Sequence, residues 1–192
     1  MAKFVVKTLD LFRHSDKDKS GNHISHAGAE LAYNTGDRLY NTSDTKISHG
    51  FHGPLIRTSE TLAAMRMMSD PFQEMEIHDA VDGLGSAEFF QKTITDAMRA
   101  DIKDGLSNME AVLKHMDPSV FDQFKSDAQS ALRKMFDLMN DGQIGVGIFH
   151  DPTIPMLAKS IGMTEARSLN SMEAIRFNLY DDGSIKAVWI EE

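Results

Sequence analysis

The sequence predicts one α/β domain over residues 1–192, a three-layer α/β/α sandwich around a mostly parallel central sheet with an antiparallel edge. Short apolar runs alternate with segments whose apolar residues recur at helical spacing, which is typical of a parallel sheet covered by helices. Near the C-terminus, Asp181-Asp182-Gly183 separates two apolar runs, and this predicts a hairpin at the sheet edge. No repeat or low-complexity linker marks a domain boundary.

The individual elements follow from apolar spacing and from the turn residues between the apolar runs. In chain order we expect a strand over about 3–12, a helix over about 26–41, a strand over about 47–50, a helix over about 58–69, a strand over about 75–81, a strand over 143–149, a helix over about 153–161, and two strands at Ala174–Tyr180 and Ser184–Ile190. The first strand is nearly continuous in apolar residues, so we expect at least one of its faces to be buried.

The stretch over about 86–140 is predicted as a helical insertion, broken at Gly105 and at Asp117-Pro118. Its apolar residues recur near helical spacing, which favours packing against the core over a lipid or cofactor surface. From chain order alone, the insertion is in a position to cap a pocket and shape substrate choice.

Arg13 and His14 directly follow the first predicted strand. Ligands of open α/β sheets bind at the carboxyl ends of strands, so both side chains are expected at a binding site. A guanidinium can bind a phosphate through two hydrogen bonds, and a neutral imidazole can present its lone pair to phosphorus. The pair therefore suggests phosphate chemistry.

Two further segments carry residues of the same kind. Arg57 lies in a Pro-marked loop before a predicted helix, with Thr58 or Ser59 as the expected cap and Glu60 close behind. A helix N-terminus favours an anion through its dipole and its free amides. His150 ends the predicted strand over 143–149 and supplies a second imidazole at a strand terminus.

These segments, in this order, resemble the histidine phosphatase superfamily, the phosphoglycerate-mutase-like group. The matching segments are Arg13-His14-Ser15, Ile24-Ser25-His26-Ala27-Gly28, Arg57-Thr58-Ser59-Glu60-Thr61-Leu62-Ala63 and His150. The resemblance implies that His14 is the phosphorylated nucleophile and that Arg13, Arg57 and His150 hold the phosphoryl oxygens. Ser15 stands where the family usually has glycine.

The function implied is a metal-independent phosphatase that transfers a phosphoryl group from a phosphoester or phosphohistidine to water through a phosphohistidine on His14. Two arginines and a histidine supply the positive charge that phosphoryl transfer requires. One alternative is phosphotransfer of the phosphoglycerate-mutase type, although the tryptophan- and asparagine-bearing segment typical of those mutases is absent after His14. The other is a non-catalytic phosphate-binding module.

The general acid is not fixed by the sequence. The resemblance implies an acidic residue in the loop over 80–88, where Asp82 and Glu88 are available. We rank Glu88 above Asp82 because it follows a glycine-rich turn at a predicted helix start. For each of them the alternative is a solvated capping residue.

Composition excludes several classes of partner. The formal net charge is −9 and cysteine is absent, so neither a phosphate backbone of nucleic acid nor a thiolate metal site is expected. No apolar run approaches the length of a membrane span, and Met1-Ala2-Lys3 leads directly into a strand. We therefore expect a cytoplasmic protein that acts on a phosphorylated small molecule or phosphoprotein, with no membrane partner.

Two histidine pairs have a spacing of three residues, His23 with His26 and His49 with His52. Metal sites use such spacings, but neither pair has a carboxylate at clear ligand spacing. The sequence therefore predicts no metal site and no cofactor.

Overall fold

The structure is a computed structural model that describes residues 3–40, 46–67, 72, 74–78, 81–85 and 93–190. Within these ranges, six strands form one sheet: β1 (Val5–Arg13), β2 (Ile47–His52), β3 (Glu76–Ile77), β4 (Ile144–Phe149), β5 (Ala174–Tyr180) and β6 (Ile185–Trp189). Their spatial order is β3-β2-β4-β1-β5-β6. Neighbours among β1 to β4 are parallel, and β5 and β6 form the antiparallel edge. The predicted mixed sheet is confirmed.

The described helices are α1 (His26–Tyr40), α2 (Ile56–Arg66), α3 (Asp96–Lys103), α4 (Asn108–His115), α5 (Pro118–Asp137) and α6 (Thr153–Ser160). Two apolar clusters lie against the sheet. One combines Leu9 and Leu11 of β1 with residues of α3 to α6, and the other combines Phe12 of β1 with residues of α1 and α2. Successive side chains of a strand point to opposite faces, so helices cover both faces and the three-layer sandwich is confirmed.

The helical insertion contains α3, α4 and α5, and it breaks where the sequence predicts. Gly105 has φ 106°, a left-handed conformation that glycine adopts without strain. Asp117 caps α5 by accepting a hydrogen bond from Ser119 N (2.8 Å), and Pro118 occupies the first turn. The predicted start of the insertion falls on residues 86–92, which lie outside the described ranges.

Two details differ from the sequence prediction. Helix α2 begins at Ile56 after an extended Leu55, so Thr58 lies inside the helix instead of capping it. The Thr58 hydroxyl is directed to the upstream carbonyls of Gly53 and Leu55, which stabilises the loop before the helix. Strand β3 is short because its ladder joins only two register pairs, His49 with Glu76 and Gly50 with Ile77.

None of the helices in the described ranges has the length and hydropathy that crossing a bilayer requires.

Candidate active site

The sheet topology brings His14 and His150 together. Arg13 and Phe149 are register partners at the carboxyl ends of the parallel strands β1 and β4, so the next residue of each strand leaves the sheet at the same edge. His14 N donates a hydrogen bond to Phe149 O (3.0 Å). The two imidazole rings meet edge to face, with centroids 5.1 Å apart and an interplanar angle of 67°. The two histidines therefore share one site, as expected for strand ends in an α/β sheet.

The tautomer of His14 follows from its hydrogen bond. Its Nδ1 lies 2.7 Å from Ser15 O, and because a carbonyl oxygen only accepts, Nδ1 must carry the proton. Nε2 then keeps its lone pair when the ring is neutral. Burial lowers the pKa of His14 to about 4, and the charges of Arg57 and Arg13 act in the same direction. His14 is therefore neutral near pH 7, as a nucleophilic imidazole must be.

Ser15 fixes the backbone that orients His14. It is fully buried, its hydroxyl donates to Gly28 O (2.6 Å), and its backbone N donates to Thr61 Oγ1 (3.1 Å). These bonds tie the Ser15 peptide to α1 and α2. The Ser15 hydroxyl thus has a hydrogen-bond partner, and the departure from glycine adds a contact between the loop and α1.

Gly28 permits the close approach of α1 to this loop. A Cβ at Gly28 would lie 2.3 Å from Asp16 O, well inside van der Waals contact. At the helix start, Gly28 N donates to Ser25 Oγ (2.9 Å), and Ser25 N donates to Asp16 O (2.8 Å). The segment 24–28 therefore holds the loop after His14.

Arg57 is the second residue of α2, close to the helix N-terminus as expected. Burial lowers the pKa of its guanidinium, and the nearby charge of Arg13 lowers it further. Its Nη1 contacts Gly21 O at 3.4 Å, but its buried Nε has no hydrogen-bond partner among the described residues. A buried donor of this kind is costly unless an acceptor reaches it, so the site favours a bound anion.

His150 is 2 % exposed. Burial lowers its pKa to about 2, and the charge of Arg57 lowers it further. Its carbonyl accepts hydrogen bonds from Ile154 N (3.1 Å) and Thr153 Oγ1 (2.8 Å) at the start of α6. The ring is thus carried on backbone that is fixed on both sides, by β4 and by α6.

These side chains open into a cavity of about 360 Å³. It is lined by Arg13, His14, Lys17, Leu55, Arg57, Ile94, Met98, Ile102, Asn108, Val112, His150, Asp151 and Pro152. The insertion contributes a largely apolar wall through α3, α4 and Ile94. The cavity therefore combines a cationic phosphate-sized region with apolar surface.

A second cavity of similar volume is lined by Arg38, Arg167, Trp189 and neighbouring residues. Arg167 there is bound to Glu173 (2.8 Å) and lies over the Trp189 ring at 4.3 Å. No histidine lines this second cavity in the described part of the chain. The two histidines and the arginines predicted to act on phosphate therefore line the first cavity.

Three polar lining residues were missed by the sequence analysis: Lys17, Asn108 and Asp151. Lys17 falls in a charged segment that resembles an ordinary exposed loop, but its backbone bridges to Ile24 and it lines the cavity. Asp151 accepts hydrogen bonds from Asn108 Nδ2 (2.7 Å) and Leu169 N (2.9 Å), and burial raises the pKa of its carboxyl group. Its position next to His150 was the available signal.

Asp151 also supports Arg13 indirectly. Leu169, whose N–H binds Asp151, accepts a hydrogen bond from Arg13 Nη1 through its carbonyl oxygen. The carboxylate thus fixes the peptide that orients the guanidinium. This makes Asp151 a positioning residue for Arg13.

Of the two candidates for the general acid, only Asp82 lies within the described residues. Asp82 lies in an exposed turn after β3 and is not among the residues that line the cavity. Glu88 lies outside the described residues.

No protein-family model and no curated protein sequence matches the chain. Several solved structures are similar to this one over most of the chain. A phosphoglycerate mutase from Bacillus anthracis str. Sterne has a TM-score of 0.70 at 15 % identity, covering 97 % of this chain and 93 % of its own. A phosphoserine phosphatase from Entamoeba histolytica has a TM-score of 0.60 at 16 % identity, covering 97 % and 98 %.

The protein histidine phosphatase SixA, solved with tungstate, has a TM-score of 0.54 at 13 % identity, covering 95 % of this chain and 94 % of its own. These matches extend over nearly the whole chain. The protein therefore has the fold of these phosphoglycerate mutase and phosphatase structures, and the fold implied by the sequence resemblance is confirmed.

Proposed function

We propose that the protein is a metal-independent histidine phosphatase, a phosphoric monoester hydrolase that acts through a phosphohistidine on His14. The observation that carries the proposal is the state of His14. Its Nδ1–H donates to Ser15 O, and its depressed pKa keeps Nε2 unprotonated beside Arg13, Arg57 and His150. A neutral imidazole with a fixed tautomer among fixed cations is suited to attack phosphorus.

In the first step, Nε2 of His14 attacks phosphorus, the P–N bond forms and the bond from phosphorus to the leaving oxygen breaks. The general acid, which we assign to Glu88, gives its proton to that oxygen. In the second step, water attacks phosphorus, the P–N bond breaks, and the proton from water returns to the Glu88 carboxylate. The products are the alcohol and inorganic phosphate. A phosphohistidine substrate follows the same course with nitrogen as the leaving atom.

Arg13, Arg57 and His150 bind the three equatorial oxygens, on which the transition state carries its charge. Two guanidiniums can each form paired hydrogen bonds with a phosphoryl group. The Nε of Arg57, buried without an acceptor among the described residues, gains one when the phosphoryl group binds. The two arginines thus supply the charge neutralisation that Mg²⁺ provides in other phosphotransferases. His150, whose pKa is lowered to about 2, binds the phosphoryl group as a neutral hydrogen-bonding partner and adds none of the positive charge that the sequence analysis expected from it.

The cavity also supports a proposal for the substrate class. Met98, Ile102 and Val112 lie on its apolar wall beside Leu55 and Pro152. A phosphorylated small molecule or phosphoprotein side chain with an apolar portion next to the phosphate buries that surface on binding. The TM-score of 0.70 to a phosphoglycerate mutase keeps phosphotransfer of the phosphoglycerate-mutase type as the second candidate function.

Rapid-quench labelling with a ³²P-labelled aryl phosphate tests the proposal. We expect an acid-labile, alkali-stable phosphoenzyme that persists with a chelator present, is lost in His14→Ala, and forms slowly in His150→Ala. His23→Ala is the matched control, because that histidine is exposed and pairs with Glu60 outside the cavity lining. Labelling that survives in His14→Ala would assign the nucleophile elsewhere. Binding of phosphate without any turnover would favour the non-catalytic alternative.

A further inference from the structure

His49, Glu76 and His78 form a cluster outside the lining of the active-site cavity. His49 lies on β2, Glu76 on the paired edge strand β3, and His78 just after β3. His49 and Glu76 are register partners, and His78 N donates to Gly50 O (2.9 Å), so the sheet itself holds the three residues together. Spacing along the chain does not reveal this cluster, because His49 pairs across strands with His78 and not with His52.

The tautomer of His49 can be read from its surroundings. Gln143 Oε1 accepts a hydrogen bond from Asn140 N (2.6 Å), which identifies that atom as the amide oxygen. The same oxygen lies 3.1 Å from His49 Nε2, so this ring nitrogen must carry the proton and donate. Nδ1 of neutral His49 therefore carries a lone pair, and it accepts a hydrogen bond from His78 Nε2–H at 2.9 Å. A cation bound by both nitrogens would replace that proton.

We propose that His49 Nδ1, His78 Nε2 and a Glu76 carboxylate oxygen bind a divalent zinc-class cation. One ligand atom from each residue lies within 4.8 Å of the others. Tetrahedral zinc with bonds of about 2.0–2.1 Å separates its ligand atoms by roughly 3.3 Å. The observed separations from His49 Nδ1 are 2.9 Å to His78 and 4.0 Å to Glu76, so small side-chain rotations suffice.

Two further features support a metal site at this cluster. His49 is 6 % exposed and stacks on His78, with ring centroids 5.2 Å apart, so the first ligand is held rigidly. The hydrogen bond from His49 Nε2 to Gln143 is the outer contact that metal-ligating histidines typically make, since it fixes both tautomer and ring orientation. Two imidazoles and one carboxylate favour Zn²⁺, Co²⁺ or Ni²⁺ over Mg²⁺ and Ca²⁺.

The site has a structural consequence. Strand β3 has two residues, and its pairing with β2 is short. A cation held by both strands would fasten this edge of the sheet, upstream of the loop that leads to Arg57. Metal binding at this site is independent of phosphoryl transfer, so its test does not depend on activity.

The test is equilibrium dialysis of metal-stripped full-length protein against Zn²⁺, together with Co²⁺ absorption spectroscopy. We expect one Zn²⁺ per chain, a tetrahedral Co²⁺ spectrum, and a higher Tm with Zn²⁺. His78→Ala and Glu76→Gln change residues at the surface side of the cluster, and each should weaken Zn²⁺ binding at least 10-fold and abolish the Tm gain. Mg²⁺ should not compete.

His23→Ala is the matched control, because His23 and Glu60 form an exposed histidine–carboxylate pair at 2.6 Å that has no second histidine within ligand distance among the described residues. It should bind Zn²⁺ as the wild type does. Folding of each variant is checked by its circular dichroism. Equal Zn²⁺ affinity in wild type and His78→Ala would overturn the proposal. So would loss of binding in His14→Ala, since that result would place the ion in the phosphate cavity.

Discussion

At the scale of single residues, the reactivity of His14 depends on the peptide that follows it. Ser15 O accepts a hydrogen bond from His14 Nδ1–H, and Ser15 is itself held by Gly28 O and Thr61 Oγ1. Thr61 in turn donates to Arg57 O (2.7 Å), so the helix that carries Arg57 also fixes the peptide next to His14. One network therefore sets the ring tautomer and the spacing between His14 and Arg57.

Replacing each candidate acid should change the rate of hydrolysis to an extent that depends on the leaving group of the substrate. A general acid matters most when the departing oxygen is a poor leaving group. We expect Glu88→Gln to slow hydrolysis of alkyl phosphates by about 10²-fold, the usual size of such catalysis, and to spare nitrophenyl phosphate. Asp82→Asn should be nearly silent because Asp82 is exposed and does not line the cavity. Steady-state kinetics on both substrates measures this.

Asp151→Asn is the informative comparison for that measurement. Because Asp151 fixes Leu169 and thereby Arg13, its replacement should slow both substrates to a similar extent. A leaving-group dependence in Asp151→Asn, with none in Glu88→Gln, would transfer the acid role to Asp151. The same dependence in Asp82→Asn would transfer it to Asp82.

At the scale of elements, the first turn of α1 packs against the loop that follows His14. Gly28→Ala would place a Cβ 2.3 Å from Asp16 O and force the turn away from the loop. We expect a loss of unfolding free energy of about 1–3 kcal/mol, the usual cost of overpacking, together with a slower phosphorylation of His14. Urea unfolding and rapid-quench labelling measure the two effects.

Gly36→Ala, on the same helix, is the matched control. A Cβ at Gly36 would meet Met65 and Phe72 at 3.5–3.6 Å, which is ordinary contact. Alanine is favoured over glycine in a helix interior by roughly 0.5–1 kcal/mol, so this variant should be as stable as the wild type or more stable. If Gly28→Ala were equally well tolerated, the close approach of α1 to Asp16 would have no role in holding the loop.

Sequence patterns predicted the elements well where the signal is local. The strand ends that carry His14 and His150, the break at Gly105, and the hairpin at Gly183 all depend on neighbouring residues. The placement of Thr58 was wrong because its hydroxyl binds carbonyls of the preceding loop, which a capping pattern does not distinguish. Local spacing therefore predicts where elements are, and less well how their ends are bonded.

Local sequence patterns could not predict contacts between segments that are distant in the chain. Asp10 interrupts an apolar strand, and it is buried because Arg176 and Tyr40 bind it at 2.7 Å and 2.6 Å. Lys17 and Asp151 reach the cavity, and His78 meets His49, only after the chain has folded. The site residues at strand ends could be predicted, whereas those that depend on loop packing or strand pairing could not.

At the scale of the whole molecule, an acidic protein encloses a cationic cavity. The chain has a formal net charge of −9, yet Arg13, Lys17 and Arg57 surround two buried imidazoles. Assembling like charges in a partly buried space costs stability, and the cost falls when an anion binds. The folded state is therefore coupled both to pH and to phosphate.

The coupling to pH has a definite sign. The pKa values of folded His14 and His150, about 4 and about 2, lie below the ordinary value of 6.5, so the unfolded chain binds more protons once the pH falls below about 6.5. Stability is fully present above that pH and is lost as the pH falls towards the folded values. For His14 alone we expect a loss on the order of 2 kcal/mol between about pH 7 and pH 5.

Urea unfolding at several pH values measures this loss. His14→Asn should show a shallower dependence over the same range because one of the two imidazoles with a lowered pKa is gone.

Inorganic phosphate at about 100 times its Kd should add about 2.7 kcal/mol of unfolding free energy near pH 7, relative to chloride at equal ionic strength. Arg57→Ala should lose most of that gain, because Arg57 carries the buried Nε–H that lacks an acceptor among the described residues. Stability that did not change between pH 7 and pH 5, or a phosphate effect that chloride reproduced, would mean that the cations and imidazoles of the cavity are not coupled as their burial indicates.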